Sequence, residues 1–195
     1  MILASTLAAA LAAHAQQDLP DPNRYLSYDF VEVAWIRSDV DGFGDEFTGF
    51  GASGALSVSD AFYLRASATR LEVEVGGFEA DTLDLAGLLG YHYGLDQGLD
   101  LVAEAGIGRA EVDISGVPGS PETETGFLAS TGLRYRANYT WEFEGTLDYT
   151  HFDGDGEFGG TVTARAHIAR HAALFASYGI TDDVDTLALG VRFGW

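Results

Sequence analysis

The stretch DTLALGVRFGW, Asp185 to Trp195, decides the fold. Leu187, Leu189, Val191, Phe193 and Trp195 alternate with Ala188, Gly190, Arg192 and Gly194. One face is large and apolar, the other small or charged. A period of two is a β-strand whose two faces meet different surroundings. The same text recurs upstream. Trp141, Phe143, Leu147 and Tyr149 alternate with Glu142, Glu144, Thr146, Asp148 and Thr150. Val162, Ala164, Ala166 and Ile168 alternate with Thr161, Thr163, Arg165 and His167. Phe127, Ala129, Leu133 and Tyr135 face away from Ser130, Gly132, Arg134 and Arg136. Leu83, Leu85, Leu89, Tyr91 and Tyr93 oppose Asp84, Ala86, Gly90 and His92, and Leu99, Leu101, Ala103, Ala105 and Ile107 oppose Asp100, Glu104, Gly106 and Gly108.

The first third is noisier. Val31, Val33 and Trp35 share one face of a strand near 25–39, with Glu32 and Ala34 opposite. Phe50, Ala52, Leu56 and Val58 form the next, then Phe62, Leu64, Ala66 and Ala68 against Tyr63, Arg65, Ser67 and Thr69. Beyond Thr69 the apolar parity flips to Leu71, Val73 and Val75. Either a β-bulge near Thr69–Arg70 resets the pleat, or the strand continues out of the apolar environment as a solvated arm.

With Leu174–Ile180 counted, the pattern predicts ten strands. Four short connections (Ser59-Asp60, 94–98, 137–139, 170–172) alternate with five acidic ones (40–46, 76–81, 115–124, 153–159, 181–184). Both termini then lie at the end carrying the four turns. The expected fold is all-β: one antiparallel up-and-down barrel of ten strands, or eight if two weaker strands merge into loops. The chain has 195 residues, 25 glycines, 4 prolines, no cysteine and a formal charge of −20, with arginine as its only strong base. That charge repels phosphates and excludes a general nucleic-acid binder. The absence of cysteine excludes disulfides, thiolate-held metals and a thiol nucleophile.

Which face is the inside decides the environment. A soluble barrel turns its large apolar face inward. Here the charged face carries Glu32, Arg65, Asp84, His92, Glu104, Arg134, Arg136, Glu142, Glu144, Asp148, Arg165, His167 and Arg192 amid glycine, serine and threonine. Small residues serve no purpose toward solvent but suit the crowded interior of a narrow barrel. The apolar face carries Trp35, Tyr91, Tyr93, Tyr135, Trp141, Tyr149, Phe193 and Trp195 near strand ends, in the manner of an aromatic girdle. A transmembrane barrel is therefore expected, with Arg109, which breaks the parity, above the bilayer. Residues 1–15 read as a cleavable leader: uncharged, apolar from Leu7 to Ala13, and ending Ala13-His14-Ala15. Residues 16–24 read as a periplasmic spacer, and 25–195 as the barrel.

The strand texts FTGFGASGALSVSDAFYLRASATR, DTLDLAGLLGYHY, GFLASTGLRYR and DTLALGVRFGW resemble the small outer-membrane β-barrels of Gram-negative bacteria, the OmpA-type and opacity-protein-like group. The resemblance implies export to the outer membrane, contact with its lipid and lipopolysaccharide, and insertion by the barrel-assembly machinery. The last segment looks like that machinery's recognition signal, with Gly190, Phe193 and Trp195 in place and Ala188 where the pattern has a polar residue.

Three constellations could carry chemistry. The inward charges read as salt bridges that fill the lumen, with a narrow cation-preferring pore or ligand conduit as the alternative. His151, beside Asp153 and Asp155, could orient a water as a general base, yet no nucleophilic serine or known hydrolase motif accompanies it. No catalytic residue is assigned, and no enzyme is expected. The acidic loops, with Asp39, Asp41, Asp45, Asp153 and Asp155, suit Ca²⁺ or Mg²⁺ weakly, which would bridge them to anionic lipopolysaccharide. The expected role is structural and interactional: a barrel presenting acidic loops.

Overall fold

The computed structural model describes residues 26–40, 46–75, 78–115, 121–152 and 154–195. The expected leader (1–15) and spacer (16–24) lie outside the described residues. Ten strands follow one another: β1 (Phe30–Val40), β2 (Glu46–Ser57), β3 (Phe62–Val75), β4 (Phe78–Asp96), β5 (Leu99–Ile114), β6 (Glu122–Arg136), β7 (Trp141–Phe152), β8 (Asp155–Ala169), β9 (Ala172–Thr181) and β10 (Val184–Gly194). Each pairs antiparallel with its sequence neighbour, and β1 pairs with β10 to close the barrel. The eight-strand alternative is set aside. The first strand begins at Phe30, five residues later than the pattern near 25–39 suggested.

The polarity is inside-out. Phe50, Leu147 and Phe158 are 67%, 70% and 72% exposed, whereas Glu32, Arg134, Glu142, Arg165 and Arg192 are buried. In water this exposure would mark an aggregating surface; in hydrocarbon it is the solvated one. Aromatics form two outer belts. Phe62, Tyr91, Tyr93, Tyr135, Trp141 and Phe193 lie near the turn end, and Trp35, Phe50, Tyr149 and Phe158 near the loop end. On β7 the belts are marked by Trp141 and Tyr149, eight residues or about 26 Å apart along the strand, which suits the apolar band of a tilted outer-membrane strand.

The inner face explains the glycines. A Cβ on Gly90 would enter the ring of Tyr63, and one on Gly190 would meet the Phe175 ring at 2.7 Å. Tyr63 and Phe175 thus each lie over a glycine of the neighbouring strand. Gly98, at φ 76°, closes the tight β4–β5 turn in a conformation that costs other residues strain.

Two expectations change. No bulge interrupts β3: its register with β2 and β4 is continuous through Thr69 and Arg70. The polarity inverts instead, so the solvated arm is the correct alternative. Above this level Leu71 and Val73 point inward, while Arg70 reaches Asp81 (3.1 Å) and Glu72 (3.4 Å) on the outer face. Arg109 is likewise outward and pairs with Glu111 at 3.2 Å. The second change concerns the acids expected in loops, several of which lie on strands. Asp39, Glu46, Asp81, Glu111, Asp113, Glu122, Glu124, Glu157 and Asp185 all lie within paired strands. The strands β3, β4 and β5 run to 14, 19 and 16 residues against 11 for β1, which carries them past the hydrocarbon.

The inverted polarity sets an expectation for stability. Leu147→Arg, on the outer face between the belts, should lower the unfolding free energy by about 2–4 kcal/mol, and Thr123→Arg, above the belt, by no more than ~0.5 kcal/mol. Urea titration of the folded barrel in lipid vesicles, followed by tryptophan emission, measures both; equal costs at the two sites would refute the membrane level assigned here.

Candidate functional site

The inward parity of four strands converges on one carboxylate. Glu142, on β7, is 1% exposed and sits among cations from three other strands. Arg134 (β6) donates from Nε to Glu142 Oε1 at 2.9 Å, and Arg165 (β8) from Nη1 at 3.2 Å. His167 Nε2 lies 3.3 Å from Oε2, Arg192 Nη1 3.6 Å from Oε1, and Arg136 Nη1 4.0 Å from Oε2. A second carboxylate, Glu32 on β1, accepts from Arg192 Nε at 2.6 Å and from the Ser53 hydroxyl at 3.2 Å. Glu144 takes the Arg165 Nη1 donor at 2.7 Å. The arginines therefore bridge the carboxylates across the lumen, tying β1, β6, β7, β8 and β10 together.

A satellite completes the layer. Glu104 accepts from Tyr63 Oη at 2.9 Å and Arg65 Nη1 at 3.2 Å. Asp100 accepts from Tyr28 Oη at 2.8 Å, with His92 Nδ1 3.4 Å away. Tyr28 stacks on His92 (4.1 Å) and Tyr63 (4.8 Å) and lies under Arg134, whose guanidinium carbon is 4.7 Å from the ring centre. Arg192 lies 3.8 Å over the Phe30 ring. Buried ions survive only when paired and hydrogen-bonded, and this layer meets that condition with aromatic faces in addition.

The layer divides the lumen. On its loop side a cavity of about 320 Å³ is lined by Glu104, Glu144, Asp148, Thr146, Thr161 and Ser177, among others. On its turn side a cavity of about 630 Å³ opens at the barrel mouth. Asp148 is held by Thr161 and Thr146 hydroxyls at 2.8 and 3.2 Å rather than by an arginine. Asp84 has no ion-pair partner among the described residues.

The thirteen inward charges expected from parity are thus inward. Eleven of them, counting Arg136 and the two histidines, meet at the closing layer, while Asp84 and Asp148 lie toward the loop end. Parity alone could not find Tyr28, which precedes the first strand. It placed Tyr63 inward but gave no sign that the phenol would serve Glu104. His151 lies on the outer face, stacked on Tyr149 at 6.3 Å. The side chains of Asp41, Asp45, Asp153 and Asp155 lie outside the described residues. Asp39 is described, facing Asp185 and Glu46 on its two neighbouring strands. Among the described residues no three His, Asp or Glu side chains are grouped to hold a metal ion. Of the expected assembly signal, Gly190 lies inward under Phe175, Phe193 outward, and Trp195 half-buried at the turn-end mouth.

The chain matches the family model of the outer membrane protein beta-barrel domain over residues 1–195. The chain belongs to that family. No curated protein sequence matches it significantly. Among solved outer-membrane barrels, this one is similar to Ail, the attachment invasion locus protein of Yersinia pestis (16% identity, covering 84% of this chain and 95% of that one, TM-score 0.44). It is similar also to OprG from Pseudomonas aeruginosa (13%, 90% and 99%, TM-score 0.49) and to the translocator domain of the autotransporter NalP from Neisseria meningitidis (10%, 98% and 98%, TM-score 0.49). Likeness at this distance carries nothing about activity.

The closing layer of this outer-membrane barrel makes a sharp expectation. Glu142→Gln leaves the surrounding cations short of a counter-charge and should destabilise the barrel by about 3–5 kcal/mol. Asp148→Asn, which removes no arginine partner, should cost about 1–3 kcal/mol. Denaturant midpoints in vesicles test the order; Asp148 as the costlier site would contradict it.

Proposed function

We propose that this outer-membrane barrel is a closed scaffold that acts through its acidic loop end, facing outward from the cell, with both termini in the periplasm after removal of residues 1–15. The observation that carries the reading is the layer around Glu142, which fills the lumen with mutually paired side chains. A conduit needs a continuous polar path, and within this layer each ion is engaged by another. The outer strand ends supply the interaction surface. Their acids outnumber Arg37, Arg70 and Arg109, and each of those arginines is already paired with one of them. Asp185, Asp39 and Glu46 stand side by side across β10, β1 and β2. Like charges in adjacent strands repel, so Ca²⁺ or Mg²⁺ shared with lipopolysaccharide phosphates would relieve them. The proposal includes no enzymatic role.

A second reading rests on cavities of 320 and 630 Å³ on either side of the ion layer, which stands between them. A rearrangement of that layer would make a narrow pore, and Asp84 and Asp148 on its loop side would favour cations.

Planar-bilayer recording separates the readings. The scaffold predicts a closed trace at every voltage, with Glu142→Gln/Arg134→Gln/Arg165→Gln showing openings where the parent shows none. Stepwise cation-selective openings of the parent protein would replace the scaffold with the pore. Separately, Mg²⁺ should raise the thermal midpoint of the protein in lipopolysaccharide-containing vesicles more than in phosphatidylcholine vesicles; no difference would remove the bridging role.

A further inference from the structure

The turn-end cavity is lined by Arg134, Arg136, Arg170, Arg192, His167 and His171 alongside Phe30, Tyr139 and Trp195. The carboxylates among its described lining residues are Asp29, whose Oδ1 already accepts from the Ser57 amide at 2.6 Å, and the α-carboxyl of Trp195, which accepts from the Ser27 hydroxyl at 3.1 Å; four arginines outnumber them. This mouth is therefore cationic in a chain of charge −20. Arg170 is exposed and has no ion-pair partner among the described residues. Arg136 stands between the layer and the mouth, donating from Nε and Nη2 to the Asn138 and Tyr139 carbonyls at 3.3 and 3.1 Å. His171 Nδ1 donates to the Gly194 carbonyl at 2.9 Å.

A second observation is independent of the charge count. Two buried donors on the lining lack an acceptor: Arg192 Nη1 and Trp195 Nε1. The Arg192 side chain is 7% exposed, and its Nη1 is 3.6 Å from Glu142 Oε1, beyond hydrogen-bond reach. A buried guanidinium donor or indole N–H without an acceptor is costly, and such an orphan calls for an explanation. Both belong to the same mouth, so one acceptor-rich ligand would serve both.

We propose that the turn-end mouth binds a phosphate group, as a free ester or a lipid headgroup. Phosphate offers several acceptor oxygens with close to two negative charges, which suits donors converging from different strands, and arginine forks recognise it preferentially. Arg170 and Arg136 supply the outer contacts, and His171, Arg192 and Trp195 the inner ones. The cavity volume lies within the range of small-ligand sites, and Phe30 and Tyr139 give the organic part of an ester an apolar wall. The buried carboxylate Glu142 backs the arginines without reaching the mouth, so it orients them rather than competing.

The test uses the folded full-length barrel in uncharged micelles, with ¹⁵N-labelled tryptophan. The chain has three indoles, Trp35, Trp141 and Trp195, and Trp195→Phe assigns the third. Titration with glucose 6-phosphate should move the Trp195 Nε1–H resonance saturably while the outward Trp35 and Trp141 stay still, and glucose should move none. Arg170→Gln, which touches no partner in the fold, should weaken the response about tenfold, and Arg136→Gln should do the same if its turn still forms. Absence of saturation, an equal response to glucose, or an unchanged affinity in Arg170→Gln would each overturn the site. Nanodiscs then separate the sources. Movement on adding phosphatidylglycerol to phosphatidylcholine discs, without soluble ester, assigns the site to a headgroup; movement with the ester alone assigns it to a soluble ligand.

Discussion

Backbone hydrogen bonding in a medium without water governs this molecule. No N–H or C=O can be left open in hydrocarbon, so the last strand must find the first. Here β1 and β10 pair over their full length, from Phe30 opposite Gly194 to Val40 opposite Val184. The remaining features follow from closing ten strands into a ring. The ring must curve, so its inner face crowds. Where an inward aromatic ring crosses to the neighbouring strand, glycine makes the room, as Gly90 does for Tyr63 and Gly190 for Phe175.

Crowding alone would not require charge, since an apolar filling would pack as well. The charge has a second effect, through register. A slip of one residue exchanges the two faces of a strand. In an all-apolar barrel such a slip costs little, because lipid and a greasy interior are equivalent. Here it would turn Arg134, Glu142 or Arg165 into hydrocarbon and strip each of its partners. The network around Glu142 thus penalises misregistered pairing of β1, β6, β7, β8 and β10, the strands whose side chains it joins. Its arginines also share carboxylates, so ordering one side chain serves several contacts at once.

Much of this was legible from residue types alone, for a physical reason. Period-two alternation between a lipid face and a packed face is written at every position of a strand, so strand number, topology and inward charges could all be read. Two kinds of information are absent from parity. Contacts across the lumen join residues with no sequence relation, such as Glu32 to Arg165 and Tyr63 to Glu104. Segments outside the regular pattern, such as the one bearing Tyr28, have no face to assign. The acidic stretches are ambiguous for a different reason: charge density reads as loop, whereas solvated antiparallel strands tolerate charge as readily when opposite signs pair across them, as Arg70 and Asp81 do.

The apparent irregularity in β3 gives the position of the membrane. On the outer face the first charges appear at Arg70 on β3, Asp81 on β4, Arg109 on β5 and Arg37 on β1. Cross-strand pairing puts Arg70 opposite Leu83, and Leu85 opposite Arg109, within one pleat of a common level. Trp35 lies two residues below Arg37, and Phe127 two residues below Thr125, which pairs with Arg109. Aromatic belt and first charges therefore follow one another around the ring, as a headgroup boundary demands. Above that line water is the solvent on the outside, the apolar residues Leu71 and Val73 turn inward, and the same continuous strand obeys the ordinary rule of a soluble sheet. A single backbone register thus serves two solvents, and the residue at which its side-chain polarity changes marks where one ends.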